Sequence, residues 1–260
     1  MSSDELVQYE QRGNLVVITM NRPERMNALG SELVAALRAA LARFREEKSV
    51  WVAVLAGNGR AFCTGGDLQD MKALTESAGD WVDSVAGVSA LLDELENMGK
   101  PVIAATHGYC MGAGLSLAHG CALVVAGEST KFGIPETAIG VPNYSYFDIW
   151  KFVGARRALE MSLTAKPFGA EYAREIGLIN RVVPDDQVLE EALKLAEEVG
   201  RNAPLALSAA QQAIRFTLHH GREEWPAAAS EIWDGVLASD DMKEGLAAFK
   251  EKRKPVWKNR

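Results

Sequence analysis

The sequence is poor in the features that stabilise secreted or membrane-bound proteins. Only three of its 260 residues are cysteines, and their spacing fits neither a disulfide framework nor a metal site. No apolar run approaches the roughly 20 residues that span a bilayer. The first ten residues, MSSDELVQYE, are polar and acidic, unlike a signal peptide. We therefore expect a reducing, cytoplasmic location, no membrane partner and no bound metal.

Positive charge is also scarce, because 28 Lys and Arg residues stand against 35 Asp and Glu residues, for a formal net charge of −7. Nucleic-acid binding needs a basic surface, so we expect no nucleic-acid partner. Residues 250–260, KEKRKPVWKNR, are an exception, with six Lys and Arg and one Glu. This tail is either a solvated surface or a local contact to the phosphates of a cofactor or to a partner subunit.

Glycine, by contrast, is concentrated in two turns. The first is AFCTGGDL at residues 61–68, and the second is HGYCMGAGLSLA at residues 107–118. Each turn follows an apolar run typical of a buried strand and precedes a stretch with helical spacing. Glycine lets the backbone approach a ligand closely, and free N–H groups at a helix start attract negative charge. Two such turns predict an oxyanion hole, in which two N–H groups bind one oxygen.

Three common glycine-rich sites fit the sequence less well. The second turn lacks the third glycine of a dinucleotide fingerprint, and no G-K-[ST] of a P-loop is present. The run Gly114-Leu-Ser116-Leu-Ala118 is one residue from the G-x-S-x-G elbow of serine hydrolases, and His219 and His220 follow it. An elbow serine, however, follows its strand directly, whereas Ser116 comes ten residues after a strand that is predicted to end at Thr106.

The hydrophobic pattern predicts an α/β core over residues 1–195 and a helical region over residues 196–260. The first strand pair ends with LVVITM, and a helix follows that Ser31 is predicted to cap. Further strands are expected at residues 51–57, 102–106, 121–126 and 178–183. Helices are expected at residues 80–98, 114–119, 146–152, 155–163 and 170–176, and four more between residues 186 and 252.

Six segments in this order resemble the enoyl-CoA hydratase/isomerase (crotonase) superfamily. They are NRPERMNAL, AFCTGGDL, KPVIAATHGYCMGAGLSLA, KFGIPETAIGVP, GLINRVVP and AFKEKRKPVW, and they cover nearly the whole chain. The resemblance implies a crotonase-like spiral of ββα units, followed by a C-terminal helical trimerisation region. It also implies a homotrimer or hexamer, an acyl-CoA thioester as substrate, and no tightly bound cofactor other than the coenzyme A of that thioester.

The resemblance assigns four residues to the chemistry. Thr64 and Ala113 are the expected backbone donors of the oxyanion hole. Family hydratases carry two glutamates at the site, and here the two positions are Ser116 and Glu136. Two carboxylates suit the addition of water, whereas one glutamate is enough to move a double bond. The resemblance therefore favours isomerisation of a 3-enoyl-CoA to a 2-enoyl-CoA, with Glu136 as acid and base.

Two alternatives stay open. One is hydration of an enoyl-CoA, or hydration and cleavage of a hydroxycinnamoyl-CoA, by Ser116 and Glu136. The cleaving branch uses a C-terminal tyrosine, and the matching stretch here has Trp225 instead. The other is an acyl-CoA-binding protein without activity. Family hydratases usually read G-A-G-G-T after this glutamate, whereas this chain reads ETAIGVPNYSYFDIW and lacks that glycine run. Four aromatic residues there are expected to form an apolar wall: Tyr144, Tyr146, Phe147 and Trp150.

The resemblance further implies how the chain holds coenzyme A. Arg25 lies where a basic residue meets the phosphates, and Phe249 and Lys252 match residues that reach the coenzyme A of a neighbouring subunit. The adenine pocket is expected at Ala28, Asp67 and Leu68. Other glycine-turn residues expected to border the ligand are Ala61, Gly65 and Gly112.

Overall fold

A six-stranded sheet forms the centre of the protein, as seen in a computed structural model that describes residues 6–68, 70, 78–142 and 148–260. Its strand order is β1-β2-β3-β4-β6-β9, and all neighbours are parallel except the first pair. A second sheet has the order β5-β7-β8. The strands are β1 (Val7–Arg12), β2 (Leu15–Met20), β3 (Val52–Gly57), β4 (Val102–Thr106), β5 (Tyr109–Met111), β6 (Leu123–Gly127), β7 (Lys131–Gly133), β8 (Phe168–Gly169) and β9 (Arg181–Val183).

Both faces of the central sheet are buried, as expected for parallel strands that read as continuous apolar runs. Alternate side chains of one strand enter different cores, since Ala53 and Leu55 face one cluster while Val52 and Val54 face the other. The predominantly apolar sequences VAVLAG and VIAAT therefore follow from burial on two sides.

Helices cover the two faces of the sheet and form the C-terminal region. They are α1 (Ser31–Glu46), α2 (Ala78–Glu96), α3 (Ala113–Gly120), α4 (Ile149–Val153), α5 (Ala155–Thr164), α6 (Ala170–Glu175), α7 (Val188–Val199), α8 (Pro204–His219), α9 (Trp225–Leu237) and α10 (Asp240–Glu251). Short 3-10 helices span Pro23–Arg25, Glu136–Ile139 and Asp185–Gln187. Within the described residues no helix is long and apolar enough to cross a membrane.

The mixed α/β architecture and the helical C-terminal region agree with the sequence prediction. Helix α7 packs on β3, β4 and β6 with Val188, Ala192 and Leu195 in the core. The division predicted between residues 195 and 196 therefore falls inside a helix that belongs to the sheet layer. The two-region organisation itself stays a prediction.

Helix α1 shows where local sequence misled the prediction. Its apolar face is buried as expected, with Leu33, Leu37 and Phe44 fully enclosed. Ser31, however, is the first helical residue and not the cap, because Gly30 holds the N-cap position. The Ser31 N–H donates to Asp70 Oδ2 over 3.1 Å. The capping carboxylate thus comes from a residue 39 positions later, which no local pattern reveals.

Candidate active site

The two glycine-rich turns lie side by side, because short backbone segments pair across them. The Phe62 N–H donates to the His107 carbonyl over 2.9 Å, and the Cys63 N–H donates to the Tyr109 carbonyl over 3.1 Å. In return, the Met111 N–H donates to the Cys63 carbonyl over 3.0 Å. A Cβ added to Gly65 would stand 3.3 Å from the Ala113 nitrogen. The turns are therefore in van der Waals contact, as the oxyanion-hole hypothesis requires.

Glu136 borders the second turn. The Gly112 N–H donates to the Gly133 carbonyl over 2.9 Å, which ties the turn to the strand that leads to Glu136. A Cβ added to Gly112 would stand only 2.8 Å from Glu136 Oε1, so the carboxylate packs against the bare glycine. Glu136 is half-buried at the start of its 3-10 helix, and Thr137 Oγ1 anchors that helix by donating to the Ser162 carbonyl over 2.6 Å.

Peptide planes decide which N–H groups face the space between the turns, because the C=O and N–H of a trans peptide point in opposite directions. The Cys63 carbonyl points to the second turn, so the following Thr64 N–H points away from it and donates to the Met26 carbonyl over 3.3 Å. The Gly65 carbonyl instead accepts from the Leu29 N–H over 2.7 Å. The Gly66 N–H therefore points to the side of the first turn that is opposite to Leu29.

This geometry contradicts the expectation for Thr64, whose N–H is already engaged. Gly66, two residues later, presents its N–H on the side away from Leu29, and the sequence reasoning did not single it out. Among the described residues, no acceptor pairs with the Gly66 N–H. The sequence did contain a signal for this change of direction, namely the glycine pair Gly65 and Gly66. Gly65 adopts a φ of +100°, a conformation that glycine tolerates and that reverses the direction of the next peptide plane.

Ala113 occupies the position that the sequence predicted for the second donor. It is the first residue of α3, and the first N–H groups of a helix have no intrahelical acceptor. Gly112 before it adopts a φ of +56°, a conformation that glycine tolerates. Among the described residues, no acceptor pairs with the Ala113 N–H. The partial positive charge of the helix start adds to its attraction for an oxyanion.

Ser116 lies one turn further along α3, on the same face as Ala113. It is 3% exposed, and its N–H donates to the Gly112 carbonyl over 3.2 Å. A small hydroxyl thus replaces the second carboxylate at the position expected from the sequence. Of the aromatic wall, Trp150 is 49% exposed, while Tyr144, Tyr146 and Phe147 lie outside the described residues.

The segment Arg22–Gly30 runs beside the first turn and brings together most residues predicted to bind coenzyme A. Leu29 pairs with Gly66, which places Ala28 near the turn, and Asn27 Nδ2 donates to the Ala61 carbonyl over 2.8 Å. Arg25 is exposed at the end of the first 3-10 helix, and Leu68 is 61% exposed. These positions suit contacts with a ligand that lies across the turn.

Asp67 differs from this expectation. Its side chain is 5% exposed, and its Oδ2 accepts from Arg22 Nη1 over 2.8 Å. The carboxylate therefore offers little surface to an adenine ring. Arg22 was not singled out in the sequence, although it belongs to the NRPERMNAL segment.

Phe249 and Lys252 belong to α10 and to its C-terminal cap, and Phe249 is 88% exposed. The tail that follows is bound elsewhere, since Asn259 Nδ2 donates to the Lys48 carbonyl and Trp257 Nε1 donates to the Arg201 carbonyl. Lys48 precedes β3, whereas the first glycine turn follows it. The tail therefore lies at the opposite end of the strands from the glycine turns. The structure does not bring Phe249 and Lys252 together with the turns of the same chain.

The three cysteines lie close to the turns but carry no reactive thiolate. All are fully buried, and burial raises the pKa of Cys63 and of Cys121 to about 12 and raises that of Cys110 as well. They act as small packing residues. Among the described residues, no cluster of His, Cys, Asp and Glu has an arrangement that could hold a metal ion.

Comparisons with known proteins agree with this geometry. A family model described as enoyl-CoA hydratase/isomerase matches residues 10–260. A 2,3-dehydroadipyl-CoA hydratase of Escherichia coli is 36% identical over 99% of this chain and 100% of its own length. A probable enoyl-CoA hydratase of Rhizobium meliloti is 35% identical over 99% of this chain and 100% of its own length.

A solved structure extends the likeness to the fold. The enoyl-CoA hydratase of Bacillus anthracis superposes with a TM-score of 0.93 at 29% identity, covering 98% of this chain and 100% of that one. The family match spans nearly the whole chain and includes both glycine turns and Glu136. The chain therefore belongs to the enoyl-CoA hydratase/isomerase family of the crotonase superfamily, whose enzymes act on CoA thioesters.

Proposed function

We propose that the enzyme moves the double bond of a 3-enoyl-CoA to the 2 position, with Glu136 as the acid and base. The observation that carries this proposal is the packing of the Glu136 carboxylate against Gly112, beside the Ala113 N–H. A base there can reach the carbon next to a thioester carbonyl that the turns hold. Ser116 supplies no second carboxylate on α3, and proton transfer between two carbons of one substrate needs only one.

The reaction balances without a further reactant. Glu136 takes a proton from C2 of the substrate, the electron pair of that C–H bond forms the C1=C2 bond, and the C1=O electrons move to the thioester oxygen to give a dienolate. The N–H groups of Gly66 and Ala113 stabilise that oxygen. The protonated Glu136 then gives its proton to C4. When C4 is protonated, the thioester carbonyl reforms, the C1=C2 electrons form the C2=C3 bond, and the C3=C4 electrons form the new C4–H bond. The product is the conjugated 2-enoyl-CoA, and Glu136 returns to its carboxylate form.

We expect the residues named in the sequence to bind the substrate, with one change. Arg25 meets the phosphates, and Ala28, Ala61 and Leu68 border the adenine and the pantetheine arm, with Gly65 and Gly112 under the thioester. Asp67 contributes through its backbone, because its carboxylate is bound to Arg22. Phe249 and Lys252 reach the ligand of a neighbouring subunit in a trimer or hexamer. A cytoplasmic location stays a prediction.

Hydration of a 2-enoyl-CoA is the second candidate, and the names of the relatives favour it, since the matched proteins are called hydratases. In that reaction Ser116 would hold a water molecule and Glu136 would activate it. A serine near neutral pH is no base without a partner. Replacement of Ser116 by Glu should therefore raise hydration above that of the wild type if the rest of the site is suited to it.

A panel of 2-enoyl-, 3-enoyl- and hydroxycinnamoyl-CoA thioesters separates these functions. We expect the 3-enoyl-CoA to be converted fastest, as followed by the absorbance of the conjugated product. Ala113→Pro removes one oxyanion donor at a helix position that tolerates proline, and it should lower turnover roughly 10²-fold. Hydration or cleavage as the dominant reaction would replace the isomerase proposal, and binding without any reaction would identify a non-catalytic acyl-CoA-binding protein.

A further inference from the structure

The direction of the Gly66 N–H depends on contacts that the segment Arg22–Gly30 makes with the first glycine turn. The Gly65 carbonyl, in the same peptide unit as the Gly66 N–H, accepts from the Leu29 N–H over 2.7 Å. The next N–H along the chain, that of Asp67, donates to the Leu29 carbonyl over 3.2 Å. Both neighbours of Gly66 are thus bound to one residue, and a shift of Leu29 would rotate the Gly66 N–H.

Asn27 fixes the backbone that carries Leu29. It is a fully buried polar residue in the left-handed region, with a φ of +53°, which its side chain stabilises through local hydrogen bonds. Its Nδ2 donates to the Asn58 carbonyl over 2.9 Å and to the Ala61 carbonyl over 2.8 Å. Its Oδ1 accepts from the Arg22 N–H over 2.9 Å. One side chain therefore joins the start of the first turn, and the residues just before it, to Arg22.

Arg22 completes the connection on the other side of Gly66. Its guanidinium donates to Asp67 Oδ2 over 2.8 Å, with side-chain exposures of 20% for Arg22 and 5% for Asp67, and it also reaches the Ala28 carbonyl at 3.4 Å. A Cβ added to Gly30 would stand 3.1 Å from Arg22 Nη1, so the bare glycine leaves room for the pair. A desolvated ion pair contributes little net stability to the fold. The pair of Arg22 and Asp67 matters more for the geometry that it imposes on the backbone beside Gly66.

We propose that Arg22, Asn27 and Asp67 are positioning residues that aim the Gly66 N–H at the thioester oxygen, an inference that rests on the oxyanion hole of the proposed function. The hydrogen bonds of these three residues run to the backbone and to one another. They hold the backbone on both sides of one donor. Their loss should therefore weaken stabilisation of the enolate and leave binding of the coenzyme A portion nearly unchanged.

The test uses Arg22→Met and Asn27→Ala, with Arg181→Met as the matched control. Arg181 forms an ion pair of the same 2.8 Å length with Glu191, at the far edge of the sheet. We expect kcat for 3-enoyl-CoA to fall roughly 10- to 100-fold in both test variants, with KM changed less than about 3-fold, because only transition-state stabilisation is lost. The control should keep both constants within about 2-fold of the wild type.

A spectroscopic measurement separates positioning from a general loss of stability. The near-ultraviolet band of bound 2,4-hexadienoyl-CoA shifts to longer wavelength when donors polarise its thioester carbonyl. We expect that shift in the wild type and in Arg181→Met, and a smaller shift in Arg22→Met and Asn27→Ala. Folded test variants with the full shift and wild-type kcat would overturn the proposal.

Two further comparisons keep the result interpretable. If the test variants do not fold, Arg22→Lys and Asn27→Asp take their place, since they keep the charge or one hydrogen-bond acceptor but not the full set of contacts. A full shift in these would equally overturn the proposal. If Ala113→Pro removes the shift while the Arg22 and Asn27 variants retain it, the oxyanion hole stands and only the positioning role fails. If the wild type shows no shift, the oxyanion hole itself is wrong.

Discussion

At the scale of single residues, the site depends on where side chains are absent. Gly112 leaves space that the Glu136 carboxylate occupies, and Gly65 lets the first turn approach the Ala113 nitrogen. Gly30 leaves room for the ion pair of Arg22 and Asp67 in the same way. Each of these glycines sits at a contact where a methyl group would displace a group that the mechanism uses.

Gly112→Ala should therefore remove activity. The added Cβ would stand 2.8 Å from Glu136 Oε1, and the φ of +56° is unfavourable for alanine. Gly140→Ala is the matched control, because Gly140 has a φ of +72° and nothing within 4 Å of an added Cβ. We expect both variants to lose about 1–2 kcal/mol of unfolding free energy in urea. Only Gly112→Ala should lose roughly 10²-fold or more in kcat, and equal losses of kcat in both would refute the role of the contact.

At this scale the sequence indicated which residue types surround the site, but not the direction in which each N–H group or side chain points. Glu136, Ala113 and Ser116 all border Gly112 in the structure, and their catalytic roles stay predictions. Thr64 was wrong as a donor, because the direction of its N–H depends on the pairing of Cys63 with Met111, 48 residues later. The partner of the Asp67 carboxylate could not be predicted either, since Arg22 reaches it from a segment that is remote in sequence.

At the scale of elements, α3 connects the oxyanion hole to a polar cluster at its other end. Its first residue is Ala113, and its last carbonyl, that of Gly120, accepts from Arg215 Nη2 over 2.6 Å. In the last turn, His119 Nε2 lies 3.1 Å from Asp148 Oδ1, and Asp148 precedes α4. The helix that carries Ala113 and Ser116 is thus held from both α4 and α8.

Asp148→Asn should loosen this anchor in a pH-dependent way. Burial alone would raise the pKa of Asp148, but the hydrogen bond with His119 and the charges of Lys151 and His219 lower it below its ordinary value. The stabilisation is therefore complete above the ordinary aspartate pKa, near ~3.9, and is lost as the pH falls through the lower folded-state value. We expect the variant to lose about 1–3 kcal/mol at pH 7 and progressively less below pH ~4.

Urea unfolding of the wild type and the variant from pH 3 to pH 7 measures this difference. Glu190→Gln is the control, because Glu190 pairs with Lys194 on an exposed helix surface. Its replacement should change the free energy of unfolding by less than about 0.5 kcal/mol. A constant difference across the pH range would contradict the account.

The secondary-structure elements were the most predictable part of the structure, since strands β3 and β4 and helices α1 and α8 follow directly from the apolar pattern of the sequence. Their caps were not, as Asp70 at the start of α1 shows.

At the scale of the whole molecule, large apolar side chains are exposed on the C-terminal helices. Ile214 is 65% exposed, Leu246 is 63% exposed and Phe249 is 88% exposed. Apolar side chains exposed to this extent are ones that an interface between copies of the chain would bury. The trimerisation region that the resemblance implied has, in these helices, a surface suited to association, although the sequence of one chain does not reveal how copies are arranged.

Light scattering should therefore give a trimer or hexamer, with a mass three or six times the 28.2 kDa of the chain. We expect this association to bury apolar residues of the C-terminal helices and to bring Phe249 and Lys252 to the site of a neighbouring subunit. Phe249→Ala should then raise KM for the CoA thioester with little change in kcat. A monomer from micromolar to sub-millimolar concentration would contradict both expectations.

In the proposed reaction Glu136, beside two backbone N–H donors, moves a proton between carbons of an enoyl-CoA. The most direct test is the rate of conversion of 3-enoyl-CoA by the wild type and by Glu136→Gln, which keeps the shape of the side chain but loses the base. We predict rapid conversion by the wild type and a loss of about 10²–10⁴ in kcat for the variant, with binding nearly unchanged. Wild-type enzyme that leaves 3-enoyl-CoA untouched, or a variant that converts it at the full rate, would contradict the account.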